Sequence, residues 1–326
     1  MSKPKAYVGR VLPEPAYARL AEVADVRSWT SPARCPDEVI QREVVDVEAF
    51  IGNGRWTGAV MDKAPKLRII ALVSVGFDSV DIAAATERGI IVTHTPGVLS
   101  DTTADTAFGL LLAVARRICE ADRFVRAGKW TMMGGPAAFM GADVHHATLG
   151  IVGLGRIGAE MAHRALGFHM NVIYYDAVRR EDLEKQYGYR YVDMDTLLRE
   201  SDFVSLHLNL SPETRNFIGA TELAKMKRTA FLINASRGEV VDERALIGAL
   251  REGRIAGAGL DVFAKEPTPT DNPLLQMDNV VALPHIGSAT QATRDKMATL
   301  ATDNAIAVLQ GKPPLTPVNP EVVARW

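Results

Sequence analysis

Cysteine is almost absent from this chain, and so is any excess of charge of one sign. Only Cys35 and Cys119 occur in 326 residues, far apart and without the spacing of metal ligands. The sequence therefore predicts no disulfide framework and no metal site, and it favours a reducing compartment. The formal net charge of -2 gives no reason to expect a nucleic acid or an anionic membrane as a partner.

Long apolar runs are also lacking. No stretch approaches the length of a membrane-spanning helix, and the first residues, MSKPKAYVGR, lack the apolar segment of a signal peptide. We therefore expect a cytoplasmic protein without a membrane partner. Hydrophobic residues nevertheless make up 47% of the chain. That share is enough, at this length, for the buried cores of two domains.

A glycine-rich segment between two apolar runs is the most informative feature that is present. LGIVG leads directly into GLGRIG, and a second run, NVIYYD, ends in Asp176. Strand, glycine turn, helix, strand and terminal acid form the pattern of a dinucleotide-binding unit. Gly153 would permit a tight turn, Gly155 the close approach of a pyrophosphate, and Gly158 the close packing of the helix on the sheet.

The residues around this turn predict which dinucleotide is bound. The helix predicted over roughly 157–167 directs its N-terminal N–H groups at the phosphate oxygens, which includes Arg156 and Ile157 in the cofactor site. Asp176 would accept hydrogen bonds from both adenosine ribose hydroxyls and repel a 2′-phosphate, which favours NAD. Arg179 and Arg180 follow and are able to neutralise that repulsion, although a solvated loop is their simpler interpretation. NAD is the expected cofactor, with NADP as the alternative.

Short apolar runs alternate with helical stretches along the chain, which is typical of βα units and parallel sheets. The glycine motif begins only after residue 150, so the earlier βα units predict a separate domain that holds the substrate. We expect an α/β fold with two doubly wound parallel-sheet domains. The substrate-binding domain would comprise 1–99 and 289–326, and the NAD-binding Rossmann domain 100–288.

Two helices and one irregular segment complete this prediction. A single long helix is expected over 101–130, with Asp101 as its N-cap, and another over the tail, stopped by Gly311 and the prolines that follow. The segment 131–146 is rich in Gly, Pro and Met. It is predicted to be an arm or loop that lies against a second subunit or against its own domain.

Polar residues follow three strands of the predicted nucleotide sheet. Arg237 follows FLINAS, Glu266 follows GAGLDVF, and His285 follows VVALP. Each alone has an ordinary explanation, as a surface ion pair, a loop acid or a hydrogen-bonded histidine. Ligands bind beyond the carboxyl ends of parallel strands, so their shared placement favours a site. An imidazolium can protonate a carbonyl oxygen, a carboxylate can favour that imidazolium, and a guanidinium can hold a substrate carboxylate.

Six motifs at their spacings carry a family resemblance over nearly the whole chain. They are VSVGFDSVD (73–81), TPGVLSDTTAD (95–105), DVHHATLGIVGLGRIG (143–158), INASRGEVVDERAL (233–246), GLDVFAKEP (259–267) and LPHIGSAT (283–290). With them the chain resembles the D-isomer-specific 2-hydroxyacid dehydrogenases, nearest in appearance to the glyoxylate/hydroxypyruvate reductases. The resemblance implies a flavodoxin-like substrate domain, NAD(P)-dependent reduction of a small 2-oxo acid to a D-2-hydroxy acid, and a homodimer.

The resemblance also implies roles for individual residues. Arg237, Glu266 and His285 would form the catalytic set, and the N–H groups at Val75 and Gly76 a second clamp on the substrate carboxylate. Further cofactor contacts are implied for Thr103, Leu208, Thr214, Ala235, Ser236, Asp261 and Gly287. Thr103 would lie on the nicotinamide side and Asp261 at the carboxamide, although either is alternatively a helix-start or strand-end hydrogen bonder. Asn209 departs from the family pattern, which usually has proline there.

Three alternatives stay open at this point. Within the same chemistry, the substrate could be larger, such as 2-ketogluconate, because Trp130 is followed by Met132, Met133, Gly134 and Gly135 where many such reductases have a tryptophan. A phosphite dehydrogenase is a second alternative, but relatives of that kind have a lysine where Val75 stands. An NAD-sensing corepressor-like binding module would keep the same three polar residues. Such a module is expected to have a disordered extension, whereas both termini of this sequence look packed, which argues against it.

Overall fold

All pairings between named strands are parallel, in two separate sheets of a computed structural model that describes residues 2–131 and 139–325. The chain divides into two compact units, one of residues 1–99 with 289–326 and one of residues 100–288. Each unit contains one of the sheets. The predicted α/β fold with two parallel-sheet domains is confirmed.

The first unit opens with five strands that alternate with four helices. These are β1 (Lys5–Val8), α1 (Glu14–Val23), β2 (Asp25–Ser28), α2 (Asp37–Glu43), β3 (Ala49–Gly52), α3 (Gly58–Met61), β4 (Ile69–Leu72), α4 (Ile82–Glu87) and β5 (Ile91–Thr93). The strand order β2-β1-β3-β4-β5 is that of a flavodoxin-like sheet. The ring of Trp56, fully buried, meets Phe50 edge to face at 5.0 Å between centroids, at the centre of this core.

The second unit contains the longer sheet. Its elements are α5 (Ser100–Ala115), α6 (Ile118–Arg126), β6 (Thr148–Val152), α7 (Arg156–Leu166), β7 (Asn171–Tyr175), α8 (Glu181–Tyr187), β8 (Arg190–Tyr191), α9 (Met194–Glu200), β9 (Phe203–Leu206), α10 (Ala220–Lys225), β10 (Phe231–Asn234), α11 (Glu243–Arg251), β11 (Gly257–Leu260) and β12 (Val280–Ala282). The order is β12-β11-β10-β9-β6-β7-β8. Counted from β6, this is the Rossmann order with β12 added at one edge.

The central strands β9 and β10 are buried along their whole length, because helices cover both faces of this sheet. Helices α5 and α7 contribute to the apolar core on one face, and α9, α10 and α11 to the core on the other. Strand order reverses between β6 and β9. In open parallel sheets, the carboxyl edge at such a reversal is where ligands bind.

The single helix predicted over 101–130 is wrong. The structure has two helices there, α5 and α6, separated at Arg117, whose φ of 54° lies in the left-handed region and cannot continue a right-handed helix. The Nε and Nη2 atoms of Arg117 each lie 2.8 Å from a carboxylate oxygen of Glu120, which stabilises the turn. No glycine or proline marks this break in the sequence. Helix α5 begins at Ser100, so Asp101 lies in its first turn and is not its N-cap.

The tail forms α12 (Gln291–Leu309) and α13 (Pro320–Val323), both in the first unit. Helix α12 packs against β3 and β4 and ends before Gly311, as predicted. The predicted arm over 131–146 lies partly outside the described residues. Met132, Met133, Gly134 and Gly135 lie wholly outside them. Within the described ranges, no helix combines the length and apolarity needed to cross a membrane. Cys35 and Cys119 are free thiols.

Candidate functional site

The glycine-rich turn follows β6 at the point where the strand order reverses. Gly153 has a φ of 93°, and a Cβ there would lie 2.9 Å from the carbonyl oxygen of His207. A Cβ on Gly158 would lie 2.0 Å from the carbonyl oxygen of Gly153, so only glycine allows α7 to start this close to the strand. A Cβ on Gly155 would meet nothing within 4 Å. The surface at Gly155 is thus open to a ligand that must approach the backbone.

Helix α7 begins immediately after this turn, with Gly155 as its N-cap. The first N–H groups of a helix have no acceptor within the helix, so those of Arg156, Ile157 and Gly158 are available to an anion. The open backbone at Gly155 and these donors fit the pyrophosphate of a dinucleotide. The residues present therefore suit the cofactor that the sequence predicts.

Asp176 follows β7 and lies beside the glycine-rich turn. Its Oδ2 accepts a hydrogen bond from the backbone N–H of Leu154 at 2.7 Å, and its Oδ1 accepts one from that of Val178 at 3.0 Å. Both bonds orient the carboxylate while the side chain stays partly exposed. Arg179 and Arg180 are both paired with carboxylates of α8.

The loop 207–214 lies on the other side of the glycine-rich turn. The Cδ2 atom of Leu208 would lie 3.1 Å from a Cβ on Gly153, so the loop packs against the turn. The Oγ1 of Thr214 donates to the carbonyl oxygen of Asn209 at 2.6 Å and accepts from the N–H of Ser211 at 2.8 Å. Thr214 therefore closes the loop locally. The side chain of Asn209, where the family pattern has proline, is exposed.

His207 is a residue that the sequence reasoning missed. Its Nε2 lies 2.9 Å from the Oγ of Ser205, and its Nδ1 is buried without a hydrogen-bond partner among the described residues. Burial lowers the pKa of His207 to about 4. The ring is therefore neutral at physiological pH. Its position one residue after β9, at the strand reversal, was the only signal in the sequence.

Arg237 lies in a short loop after β10 that Asn234 holds in place. The side-chain amide of Asn234, which is 1% exposed, donates to the carbonyl oxygen of Arg237 at 2.9 Å. Its Oδ1 accepts from the N–H and the Oγ of Ser236, at 3.0 and 2.8 Å. Sequence reasoning used Asn234 only as the end of a strand. Its three hydrogen bonds fix the direction in which Arg237 leaves the sheet.

The loop of Arg237 packs directly on the loop that carries Glu266. A Cβ on Gly238 would lie 1.9 Å from the carbonyl carbon of Phe263 and 2.5 Å from the nitrogen of Ala264. Only a glycine allows this approach of the two backbones. The Oε2 of Glu243, in the first turn of α11, accepts from the N–H of Ala264 at 3.0 Å and holds the second loop. Gly238 and Glu243 were not singled out from the sequence.

The structure brings His285 and Glu266 into direct contact. The Nδ1 of His285 lies 2.7 Å from the Oε2 of Glu266, and the Oε1 of that carboxylate accepts from the N–H of Phe263 at 3.1 Å. Burial by itself raises the pKa of Glu266. The hydrogen bond and charge of His285, the N–H of Phe263 and the charge of Arg237 outweigh it and leave the pKa below its ordinary value. Glu266 is thus an anion at neutral pH.

A buried carboxylate holds the turn on which His285 stands. Asp261, at the end of β11 and 1% exposed, accepts from the N–H of Ile286 and of Gly287, both at 2.7 Å. The carbonyl oxygen of Asp261 also accepts from the N–H of His285 at 2.9 Å. His285 has a φ of 56°, in the left-handed region. These three bonds compensate for that unfavourable conformation.

The remaining residues implied by the resemblance lie around this turn. Thr103, on α5, is buried, and its Cγ2 would lie 3.2 Å from a Cβ on Gly287. Ala235 and Ser236 precede Arg237 at the carboxyl end of β10. The second unit thus collects at one edge of its sheet all the predicted site residues from Thr103 to Gly287.

Val75 and Gly76 belong to the first unit, in the turn after β4. The carbonyl oxygen of Val75 lies 2.9 Å from the Nδ1 of His94, and that of Gly76 accepts from the Oγ of Ser74 at 2.7 Å. Within the described part of the chain, neither of the two N–H groups donates to a protein acceptor. The turn is therefore held by its carbonyl groups and leaves two N–H donors for an anion.

A Rossmann sheet with an anion-binding glycine turn, and an imidazole–carboxylate pair at the same edge, defines a dinucleotide-dependent oxidoreductase. Comparison with known proteins specifies the class further. Residues 108–287 match the family described as D-isomer specific 2-hydroxyacid dehydrogenase, NAD binding domain. The chain belongs to this family and is an NAD(P)-dependent oxidoreductase of it, which confirms the predicted membership.

Two reductases and one solved reductase structure are similar to nearly the whole chain. A glyoxylate reductase of Korarchaeum cryptofilum is 51% identical over 98% of this chain and 97% of its own length. A glyoxylate/hydroxypyruvate reductase B of Escherichia fergusonii is 47% identical over 98% and 99%. The solved structure of an NADPH-dependent glyoxylate/hydroxypyruvate reductase of Sinorhizobium meliloti, in complex with NADP and malonate, is 34% identical, has a TM-score of 0.87 and matches 97% of each chain.

Proposed function

We propose that the protein reduces small 2-oxo acids, glyoxylate or hydroxypyruvate, to the corresponding 2-hydroxy acids with NADH. The observation that carries the proposal is the 2.7 Å contact between His285 and Glu266 at the carboxyl edge of an NAD-binding sheet. The names of the two relatives at 51% and 47% identity support the choice of substrates.

His285 is the proton donor in this proposal. Because Glu266 is an anion at neutral pH, it accepts a hydrogen bond, and the Nδ1 of His285 must carry the hydrogen between them. The Nε2 of the imidazolium then holds the proton that can pass to the carbonyl oxygen of the substrate. Glu266 orients the ring through this contact.

Two groups of donors would hold the substrate. Arg237 offers a planar fork that can grip the carboxylate and polarise the ketone at once. We also assign the N–H groups of Val75 and Gly76 to substrate binding. In this assignment residues 1–99 and 289–326 form the substrate-binding domain, and residues 100–288 form the NAD-binding domain.

The nicotinamide cofactor supplies the hydride when it is bound. We assign its binding to the glycine turn with Arg156 and Ile157, to Asp176, and to the residues at the strand ends, namely Thr103, Leu208, Thr214, Ala235, Ser236, Asp261 and Gly287. The oriented carboxylate of Asp176 supports NAD over NADP, because it would repel a 2′-phosphate.

We further propose that the protein is a homodimer and lies in the cytoplasm. Light scattering of the purified protein tests the first proposal, and fractionation of cells tests the second.

A nicotinamide absorbance assay tests the proposal. Purified protein with NADH should consume the cofactor in the presence of glyoxylate or hydroxypyruvate, more slowly with 2-ketogluconate, and more slowly when NADPH replaces NADH. Oxidation of phosphite with NAD should be absent, because Val75 supplies no cation. Protein that binds NADH tightly but turns over none of these oxo acids would contradict the proposal and favour the corepressor-like alternative.

A further inference from the structure

Both arginines that follow Asp176 are engaged by carboxylates of α8. The Nε and Nη2 atoms of Arg179 donate to the two oxygens of Glu184, each at 2.8 Å. The same two atoms of Arg180 donate to the two oxygens of Asp182, at 2.9 and 2.8 Å. Each guanidinium thus uses, on a protein carboxylate, the forked edge that would otherwise grip a phosphate.

Glu184 is itself fixed and fully charged. Its side chain is 17% exposed, and its Oε1 also accepts from the hydroxyl of Tyr174 at 2.7 Å. The hydrogen bonds of Arg179 and Tyr174 lower the pKa of Glu184 to about 2. The guanidinium carbon of Arg179 lies 5.6 Å from the ring centroid of Tyr191, which packs one face of this cation. Arg179 is therefore held both by Glu184 and by the ring of Tyr191, although its side chain is 56% exposed.

Arg180 lies at the glycine-rich turn. Its Nη1 donates to the carbonyl oxygen of Leu154 at 3.3 Å, while its backbone N–H donates to the hydroxyl of Tyr174 at 2.7 Å. Leu154 is the residue whose N–H binds Asp176. The guanidinium of Arg180 therefore pairs with Asp182 close to Leu154, whose N–H binds Asp176, the residue expected to bind the ribose. Both arginines follow Asp176 closely in the chain, but their forks are occupied by carboxylates.

We propose that Glu184 and Asp182 are specificity-determining residues that exclude NADP by withholding Arg179 and Arg180 from its 2′-phosphate. The inference rests on the proposed function, since it requires a nicotinamide dinucleotide at Asp176. The carboxylates of Asp176, Asp182 and Glu184 and the guanidiniums of Arg179 and Arg180 together have one net negative charge. This charge would repel a phosphate. Without the charges of Asp182 and Glu184, Asp176 and the two arginines have one net positive charge, and neither fork is held by a carboxylate.

Calorimetric titration of the double variant D182N/E184Q tests the proposal without turnover. Both changes keep the shape of the side chains, remove the charge and replace one acceptor oxygen of each fork partner by an NH2 group. We expect the Kd for NADPH to fall about tenfold, as a freed fork makes charge-assisted hydrogen bonds to the phosphate. The Kd for NADH should stay within about twofold, because the acids do not contact its ribose. Titration with 2′-AMP, which has the 2′-phosphate but no nicotinamide half, should show the same fall in Kd as NADPH.

A matched control and a reversal make the result specific. The variant E252Q/D278N removes the same two charges from acids that also pair with arginines, Arg254 at 2.9 Å and Arg123 at 3.4 Å, at the amino edge of the sheet. It should leave the Kd for NADPH within about twofold of the original value. Adding Arg179→Gln to D182N/E184Q should cancel most of the gain.

Two results would overturn the inference. One is an unchanged Kd for NADPH and 2′-AMP in D182N/E184Q, and the other is an equal gain in the control variant. If E184Q disturbs folding through Tyr174, the single variant D182N, whose acid is 62% exposed, should still show a smaller shift in the same direction. Failure of the proposed function has a different signature, since the unaltered protein would then turn over none of the oxo acids, whereas this test measures cofactor binding alone.

Discussion

The carboxyl edge of the second sheet has two ends that are built in different ways. The reaction end contains Arg237, Glu266 and His285, and the adenosine end contains Asp176, Arg179 and Arg180. At the reaction end, His285 and Arg237 stand on turns that the buried side chains of Asp261 and Asn234 hold through backbone hydrogen bonds. At the adenosine end, Arg179 and Arg180 are placed by ion pairs, and their side chains are 56% and 34% exposed. Each end positions cationic groups, but only the reaction end does so through buried supporting side chains, since Asp261 and Asn234 are each 1% exposed.

The two ends should therefore differ in how well they tolerate substitution. A buried acceptor that loses its partner costs about 1–3 kcal/mol, whereas an exposed ion pair is screened by salt and water. The reaction end should therefore be intolerant of change, because the proton donor that we propose there, His285, requires a fixed geometry. The adenosine end can exchange charges one at a time. Cofactor preference is then adjustable while the chemistry stays fixed.

Replacing His285 by Gln should have the largest effect. The glutamine cannot supply a proton to the carbonyl oxygen, so kcat should fall by a factor of about 10²–10⁴. The glycine turn and Asp176 are unaffected, so the Kd for NADH by fluorescence titration should change by less than about twofold. Equal losses of turnover and of NADH binding would show that His285 supports the fold of both ends and that the two ends are not built independently.

Replacing Gly238 by Ala should disrupt the reaction end through packing alone. The added methyl group would meet the backbone of Phe263 at 1.9 Å, so the loops of Arg237 and Glu266 must separate. We expect a loss of stability of about 1–3 kcal/mol in urea unfolding, together with a reduced kcat. NADH binding should be less affected than turnover.

Gly248 provides the matched control for this substitution. It lies within α11, and an added Cβ would meet nothing within 4 Å. Gly248→Ala should therefore stabilise the protein by about 0.5–1 kcal/mol, because alanine favours a helix interior. If both alanine variants lose stability to the same extent, the close approach of the two loops is not what makes Gly238 necessary.

The sequence predicted the elements and the edge at which the site residues lie because both depend on local patterns. Apolar runs of strand length, a glycine turn and polar residues directly after β10, β11 and β12 are visible one segment at a time. The parallel topology then brings those strand ends together. The break at Arg117 was missed because an arginine in the left-handed region leaves no glycine or proline as a signal.

The supporting residues of the site could not be predicted in the same way. Asn234 and Glu243 act through backbone groups that are distant in sequence or differently oriented until the loops are packed. Pairing of Arg179 with Glu184 depends on α8, a short helix without a clear apolar period. Such contacts are tertiary, and a single sequence contains the residue types but not their partners.

His207 lies at the strand reversal, between the two ends, and predicts how acid affects the whole sheet. Its pKa in the folded protein is about 4, lowered by burial from the ordinary 6.5. Below about pH 6.5 the unfolded chain binds a proton that the folded protein does not accept until about pH 4, so stability falls as pH falls through this window. Between pH 7 and pH 5 the loss should be about 2 kcal/mol.

Urea unfolding of His207→Gln at the two pH values measures this contribution. The glutamine keeps a partner for Ser205 and does not titrate, so the stability difference between pH 7 and pH 5 should shrink by about 2 kcal/mol. His163→Gln, an exposed histidine on α7, controls for the loss of one histidine. An unchanged difference in the His207 variant would mean that water reaches its ring at the strand reversal.

Ionic strength should give the smallest effect and the sharpest separation of the two ends. Raising salt from about 0.1 M to about 1 M shortens the Debye length from about 10 Å to about 3 Å. The gain in NADPH affinity of D182N/E184Q comes from partly exposed charges, so it should shrink from about tenfold towards about twofold. The loss of turnover in His285→Gln should keep its size, because removal of a proton donor is not screened. Equal salt dependence at both ends would show that the reaction end also relies on exposed charge and not on its buried hydrogen bonds.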